Sequence, residues 1–160
     1  MKWLDEFTPG DALDLGAHTF TRDEIVDFAR DFDPQPFHLD DEAGRASLFG
    51  ALAASGWHVA CAWMRLWIAR QTAEMAARAA TGADVPVPGP SPGFDDMKWL
   101  KPVLVGDTVA YRTSVVSTRA SASRPGWGVL TTLNEGRVGD TVVFRFTGYI
   151  MWPHRSNAES

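Results

Sequence analysis

The hexapeptide Asp33-Pro34-Gln35-Pro36-Phe37-His38 sets a carboxylate and an imidazole five positions apart around two prolines. Proline fixes its own φ and biases the preceding residue away from the helical region, so Asp33 and Gln35 are expected to be extended or turning. A carboxylate and an imidazole held this way can share one water. Hydration or dehydration needs that arrangement: one group takes a proton from water, and another orients the water or returns the proton. An arbitrary Asp and His more often cap a turn and fill a half-buried position, so the surroundings of the pair decide its weight.

Those surroundings begin with Phe20-Thr21-Arg22-Asp23-Glu24-Ile25, which reads as a helix start. Thr21 is the N-cap, Glu24 closes a capping box, and Phe20 packs on Ile25 as a staple. Ile25, Phe28 and Ala29 then point inward, and the helix ends at Asp31-Phe32-Asp33-Pro34. Downstream, a run rich in helix formers extends from Gly50 to about Ala80, apolar nearly all round at first, as expected of a helix buried on several sides. Its far end, with Gln71, Glu74 and Arg78, should be wetter. Pro86, Pro88, Pro90 and Pro92 make the next segment a loop.

Three strand-like runs follow. Val109, Tyr111, Thr113 and Val115 share one face of the first, and Trp127, Val129, Thr131 and Leu133 share one face of the second. Val142, Phe144, Phe146, Gly148, Ile150 and Trp152 give the third a face that must be covered. Residues 134–140 read as the turn before it. This order gives an α+β fold with a helix against an antiparallel sheet, and 160 residues with 45% hydrophobic content suit one domain, 1–160, with a real core.

The net charge of −5 argues against nucleic-acid binding. Cys61, the single cysteine, excludes an internal disulfide and is expected to pack in the helix rather than act as a nucleophile. No stretch approaches the ~20 apolar residues of a membrane span. The N-terminus carries Asp5 and Glu6 and no apolar signal core, so a cytoplasmic address is expected.

The stretch from Phe28-Ala29 through Asp33-Pro34-Gln35-Pro36-Phe37-His38-Leu39-Asp40, with Ser55-Gly56-Trp57-His58, resembles the MaoC-like dehydratases, relatives of the (R)-specific enoyl-CoA hydratases. Residues 99–108, 119–128 and the strand through Phe144-Arg145-Phe146 agree with it. The pattern Asp-x-Asn-Pro-x-His is met at Asp33, Pro36 and His38, and departs at Gln35, which keeps the amide but adds a methylene. The resemblance implies a hotdog fold, a curved antiparallel sheet wrapped around a long central helix. It also implies reversible addition of water to a trans-2-enoyl-CoA thioester, giving a 3-hydroxyacyl-CoA. No internal repeat suggests a fused double hotdog.

In such a reaction negative charge builds on the thioester oxygen, and a site needs donors there. Gly56, at the opening of the buried helix, offers an unpaired N–H and the positive end of the helix dipole. The expected catalytic residues are therefore Asp33, His38 and Gly56, with Gln35, Phe37 and Ser55 toward the substrate. His58 is expected to be packed or interfacial, since two helical positions turn it well away from Gly56. His18 and His154 have no partner nearby in sequence. Asp40 should cap the segment running into Ala43. No metal site and no cofactor are expected, coenzyme A entering as part of the substrate. Two other functions use the same fold. A thioesterase needs an acid on the central helix, and 56–70 contains none; a non-catalytic acyl-CoA binder needs no intact pair. A single hotdog leaves a sheet edge and an apolar face open, so a homodimer or dimer of dimers is expected.

Overall fold

The computed structural model describes residues 1–155. After a short 3-10 turn at Leu4–Glu6 come strand β1 (Ala12–Thr19) and helices α1 (Arg22–Phe32), α2 (Pro36–Leu39), α3 (Asp41–Ala46) and α4 (Gly56–Ala79). Strands β2 (Gly93–Trp99), β3 (Thr108–Ala120), β4 (Trp127–Val138) and β5 (Thr141–Pro153) complete one antiparallel sheet in the order β1-β3-β4-β5-β2. The sheet curves around α4, giving the hotdog fold. Both edge strands carry a register break, β1 between Asp14 and Gly16 and β2 between Asp95 and Lys98.

The capping box at α1 forms as expected: Thr21 accepts from the Glu24 amide and Glu24 reaches back to the Thr21 amide. Ile25 and Ala29 are buried, joined by Val26, while Phe28 is only half-buried. Asp40 caps α3 through the Glu42 and Ala43 amides. Helix α4 begins at Gly56, as expected for the opening of the buried helix, and the run of helix formers from Gly50 does not extend it because Ala53 bridges Leu104. The Ala53 amide donates to the Phe37 carbonyl, and the Ala54 amide donates to the Val103 carbonyl. Gly44 makes this possible: a Cβ there would lie 2.6 Å from the Leu52 nitrogen.

The core lies between α4 and the inner face of the sheet. Val109, Tyr111, Thr113 and Val115 of β3, and Phe144, Phe146, Ile150 and Trp152 of β5, are buried as the alternation requires. Tyr111 ties the layers together, its hydroxyl donating to the Val59 carbonyl of α4 at 2.9 Å. Burial pushes its phenol well above the ordinary range. On β4 the expected face is reversed. Leu130, Thr132 and Asn134 point inward and Trp127, Val129, Thr131 and Leu133 are only half-buried. The inward polar pair is satisfied across the sheet, Thr113 donating to Asn134 Oδ1 at 2.8 Å and Asn134 Nδ2 donating to Thr132 at 3.0 Å. The expected turn at 134–140 shrinks to its last two residues, since β4 continues to Val138. Cys61 is exposed rather than packed, a helix apolar nearly all round giving no sign of which side the sheet covers. Gln71, expected to be wet, is buried.

Two histidines join α1 to α4. His58 stacks on Phe28 with 4.6 Å between ring centres and 5° between planes, and meets Phe20 edge-on at 4.9 Å. It is a packed histidine, as expected. His18, for which the sequence offers no partner, accepts a hydrogen bond from Arg65 at 2.9 Å and stands 3.8 Å from Glu24. Burial, reinforced by His18, depresses the His58 imidazole to about 4. Burial also lowers His18, opposed by Glu24 and aided by Arg65.

A histidine depressed in the folded state binds fewer protons folded than unfolded, so stability falls as pH drops. For His58 the window runs from its ordinary 6.5 down to about 4. Thermal unfolding should therefore shift down by several degrees between pH 7 and pH 5. His58→Phe, which keeps the stack on Phe28, should flatten most of that slope and leave the smaller part due to His18.

Candidate active site

Helix α1 ends because Pro34 forces Asp33 out of the helical region; Asp33 is the C-cap at φ −154°, ψ 67°, with its amide bonded to the Ala29 carbonyl. Gln35 is extended at φ −83°, ψ 142°, and Pro36 opens α2 at a position where its missing N–H costs nothing. This short helix turns His38 inward to 5% exposure. Phe37 meets the imidazole edge-on at 4.6 Å, and Phe49 lies along it at 6.2 Å.

The tautomer of His38 follows from its partner. Nδ1 lies 2.7 Å from the Ala53 carbonyl oxygen, which only accepts, so Nδ1 carries the proton and donates. In the neutral ring Nε2 then holds a lone pair, 3.4 Å from Asp33 Oδ2. Carboxylate oxygen and ring nitrogen are both acceptors there, an arrangement that suits a water donating one hydrogen to each.

Asp33 is held from two sides. Ser55 donates to Oδ2 at 2.7 Å, and Gln35 Nε2 donates to Oδ1 at 2.8 Å. Burial pushes the carboxyl up, but the hydrogen bonds from Ser55 and Gln35, with the positive charge of His38 whenever its ring is protonated, outweigh it, so Asp33 lies below the usual carboxylate range. Ser55 is also the N-cap of α4, accepting from the Trp57 amide at 3.2 Å. One hydroxyl therefore links the end of α1 to the start of α4.

Gly56 follows directly, and among the described residues its N–H has no hydrogen-bond acceptor in the protein. Its Cα is roofed by Trp99, which sequence reasoning did not single out as a site residue. The Trp99 indole donates to the Gly56 carbonyl at 2.8 Å, and a Cβ on Gly56 would meet the ring at 2.7 Å. Trp57 stands edge-on to Trp99 at 5.4 Å. Asp33, Gln35, Phe37, His38, Ser55 and Gly56 all line one cleft of about 440 Å3, with Trp57, Trp99 and Lys101 at its rim. The six residues expected from sequence thus come together. Trp99 is 43 positions from its partner, and no local pattern announces it.

Among the described residues, no group of three or more His, Cys, Asp or Glu side chains is arranged to hold a metal ion. No described helix is long and apolar enough to cross a membrane. Glu74, the acid on α4, pairs with Arg70 and the N-terminus and does not line the cleft.

The chain is similar to known proteins. The profile of the family described as "MaoC like domain" matches residues 6–127. The crystal structure of a MaoC-like dehydratase from Rhodospirillum rubrum superposes with a TM-score of 0.77 at 31% identity, over 97% of this chain and 99% of that one. An uncharacterized Bacillus subtilis protein, YdeM, is 37% identical over 65 residues, 41% of this chain and 46% of that protein. A mesaconyl-CoA hydratase from Haloarcula hispanica is 39% identical over 70 residues, 41% of this chain and 19% of that enzyme. The chain thus matches less than half the length of either curated relative.

Removing the Ser55 hydroxyl deletes a hydrogen bond that favours the ionised Asp33 carboxylate. In Ser55→Ala the Asp33 carboxyl should therefore titrate at higher pH, moving up toward or past 3.8. A carboxyl-carbon NMR titration reads this, and an unmoved Asp33 resonance would show that Ser55 only caps α4.

Proposed function

Because the chain belongs to the MaoC-like dehydratase family, we propose that it is a hydro-lyase that adds water reversibly across the double bond of a trans-2-enoyl-CoA thioester, giving a 3-hydroxyacyl-CoA. One observation carries the reading: Asp33 Oδ2 and His38 Nε2 lie 3.4 Å apart, in a cleft that also presents the free Gly56 amide.

In the proposed reaction the water donates one hydrogen to His38 Nε2 and the other to Asp33. As the water oxygen bonds to the β-carbon, Asp33 takes the proton and the double-bond electrons move onto the thioester oxygen. The Gly56 N–H and the N-terminal dipole of α4 stabilise that charge. The pair then returns a proton to the α-carbon, and the reverse sequence is the dehydration. Ser55 and Gln35 keep the carboxylate ionised and aimed, and Phe37 holds the imidazole plane. The reaction needs no cofactor beyond the coenzyme A of the substrate. Lys101, at the cleft rim with no ion pair among the described residues, is suited to a phosphate of that group. The thioesterase alternative has no acid of α4 to direct water at the carbonyl. We also read the active unit as a homodimer joined on the β2 side, where Trp57, Met64, Ile68 and Phe94 are exposed.

Asp33→Asn and His38→Ala should each lower kcat with crotonyl-CoA by a factor on the order of 10² or more, with the fold retained. Either variant turning over at the wild-type rate removes that residue from the mechanism. Thioester cleavage in place of hydration would transfer the chain to the thioesterases.

Gly56 allows a sharper comparison. Both Gly56→Ala and Gly56→Pro add a Cβ that displaces the Trp99 indole, but only proline removes the N–H, and it fits the first helical position. The difference between the two variants reads the lost donor, about 2.7–4 kcal/mol of transition-state stabilisation, expressed in kcat. Equal kcat in the two would mean that Gly56 only makes room.

A further inference from the structure

The peptide that joins Gly56 to Trp57 is gripped at both ends. Its carbonyl oxygen accepts the 2.8 Å hydrogen bond from the Trp99 indole, and its N–H donates to the Ser55 hydroxyl at 3.2 Å. A trans peptide is planar, with C=O and N–H pointing in opposite directions, so turning one end turns the other. Ser55 in turn donates to Asp33 Oδ2 at 2.7 Å, and Oδ2 is the carboxylate oxygen that stands 3.4 Å from His38 Nε2. Three hydrogen bonds thus run in one direction from the end of strand β2 to the reacting face of the acid, each donor polarised by the bond before it. Position 56 is where such a chain would give way, since glycine has the widest choice of backbone conformations and here it opens a helix. The same glycine lets the indole reach it, because a Cβ there would lie 2.7 Å from the ring.

We propose that Trp99 is a positioning residue for the reaction: its indole N–H sets the peptide between Gly56 and Trp57, and that peptide, through the Ser55 hydroxyl, aims and holds Asp33. The effect on rate rests on the hydratase reading; the effect on Asp33 does not. Among the described residues the one titratable group that acts on Asp33 is His38 of α2, while Gln35 and Ser55 supply neutral donors. Without the indole N–H the Gly56 carbonyl loses that donor, and the Trp57 N–H becomes a weaker and less well aimed donor to Ser55. The Ser55 hydroxyl then holds the ionised carboxylate less tightly, so Asp33 titrates at higher pH. A carboxylate held less tightly also samples more orientations, and fewer of them face a water shared with His38.

Two replacements separate the N–H from the ring. Trp99→Phe keeps an aromatic ring over Gly56, and 3-benzothienylalanine at position 99 keeps the whole indole shape with sulfur in place of the N–H. Both should raise the Asp33 titration midpoint, read by carboxyl-carbon NMR, by part of the rise produced by Ser55→Ala. In a Ser55→Ala background neither should raise it further. With crotonyl-CoA, kcat should fall about three- to tenfold in both, the range of one hydrogen bond, while KM stays nearly unchanged. The benzothienyl protein decides the question if Trp99→Phe fails to fold. An Asp33 midpoint unmoved by the benzothienyl replacement overturns the proposal, since Trp99 then only roofs the cleft. So does a rise of the same size in the Ser55→Ala background, because the path then avoids Ser55, and so does a raised KM at constant kcat. A raised midpoint in a protein that fails to hydrate crotonyl-CoA upholds the positioning of Asp33 and removes the hydratase reading.

Discussion

The 2.7 Å hydrogen bond from Ser55 to Asp33 is the contact on which the site depends, because it joins two helix ends that have no covalent reason to meet. At one end Pro34 stops α1 and leaves Asp33 as its C-cap; at the other Ser55 starts α4. A hydroxyl shared between a cap and a carboxylate makes the position of the acid a property of both helices at once. The imidazole is fixed by a third element, the extended segment 52–54, through the Ala53 carbonyl. The imidazole is thus located by a backbone carbonyl and the acid by the Ser55 hydroxyl and the Gln35 amide, so neither relies on the other.

The electrostatics follow from that placement. Asp33 sits where burial works against its charge, yet two neutral donors, the Ser55 hydroxyl and the Gln35 amide, hold it ionised. The Nδ1–H of His38 donates to a carbonyl, which leaves Nε2 as the nitrogen that faces the acid. On the other side of α1 the balance is reversed. His58 is kept neutral by burial against Phe28 and takes no part in the cleft, serving as an aromatic plate between α1 and α4.

Where the sequence was legible, the signal was local. The capping box of α1, the Asp-Pro break, the Asp40 cap and the apolar face of β5 all lie within a few residues of their causes. The six expected residues meet in one cleft for the same reason, since they occupy two short segments. The misreadings occur where the determining partner is far along the chain. Edge strands β1 and β2, mostly exposed, show no alternation, and neither was recognised. On β4 the inward face holds Thr132 and Asn134, whose polarity is satisfied only by each other and by Thr113 of the next strand, so hydropathy pointed the wrong way. Cys61 was misplaced because α4 is apolar on both its covered and uncovered sides. Trp99 and the pairing of His18 with Arg65 depend on contacts 43 and 47 positions apart.

The two register breaks on the outer strands bear on how this protein behaves in a crowded solution. A flat row of unpaired amides is a template on which further chains can add without limit. Here Gly16 shifts the ladder of β1, and Asp96, at a φ of 54° rare for a non-glycine residue, bends β2 out of line. Each outer strand is thereby divided into short straight runs. Open-ended addition of strands is discouraged at both ends of the sheet by backbone shape.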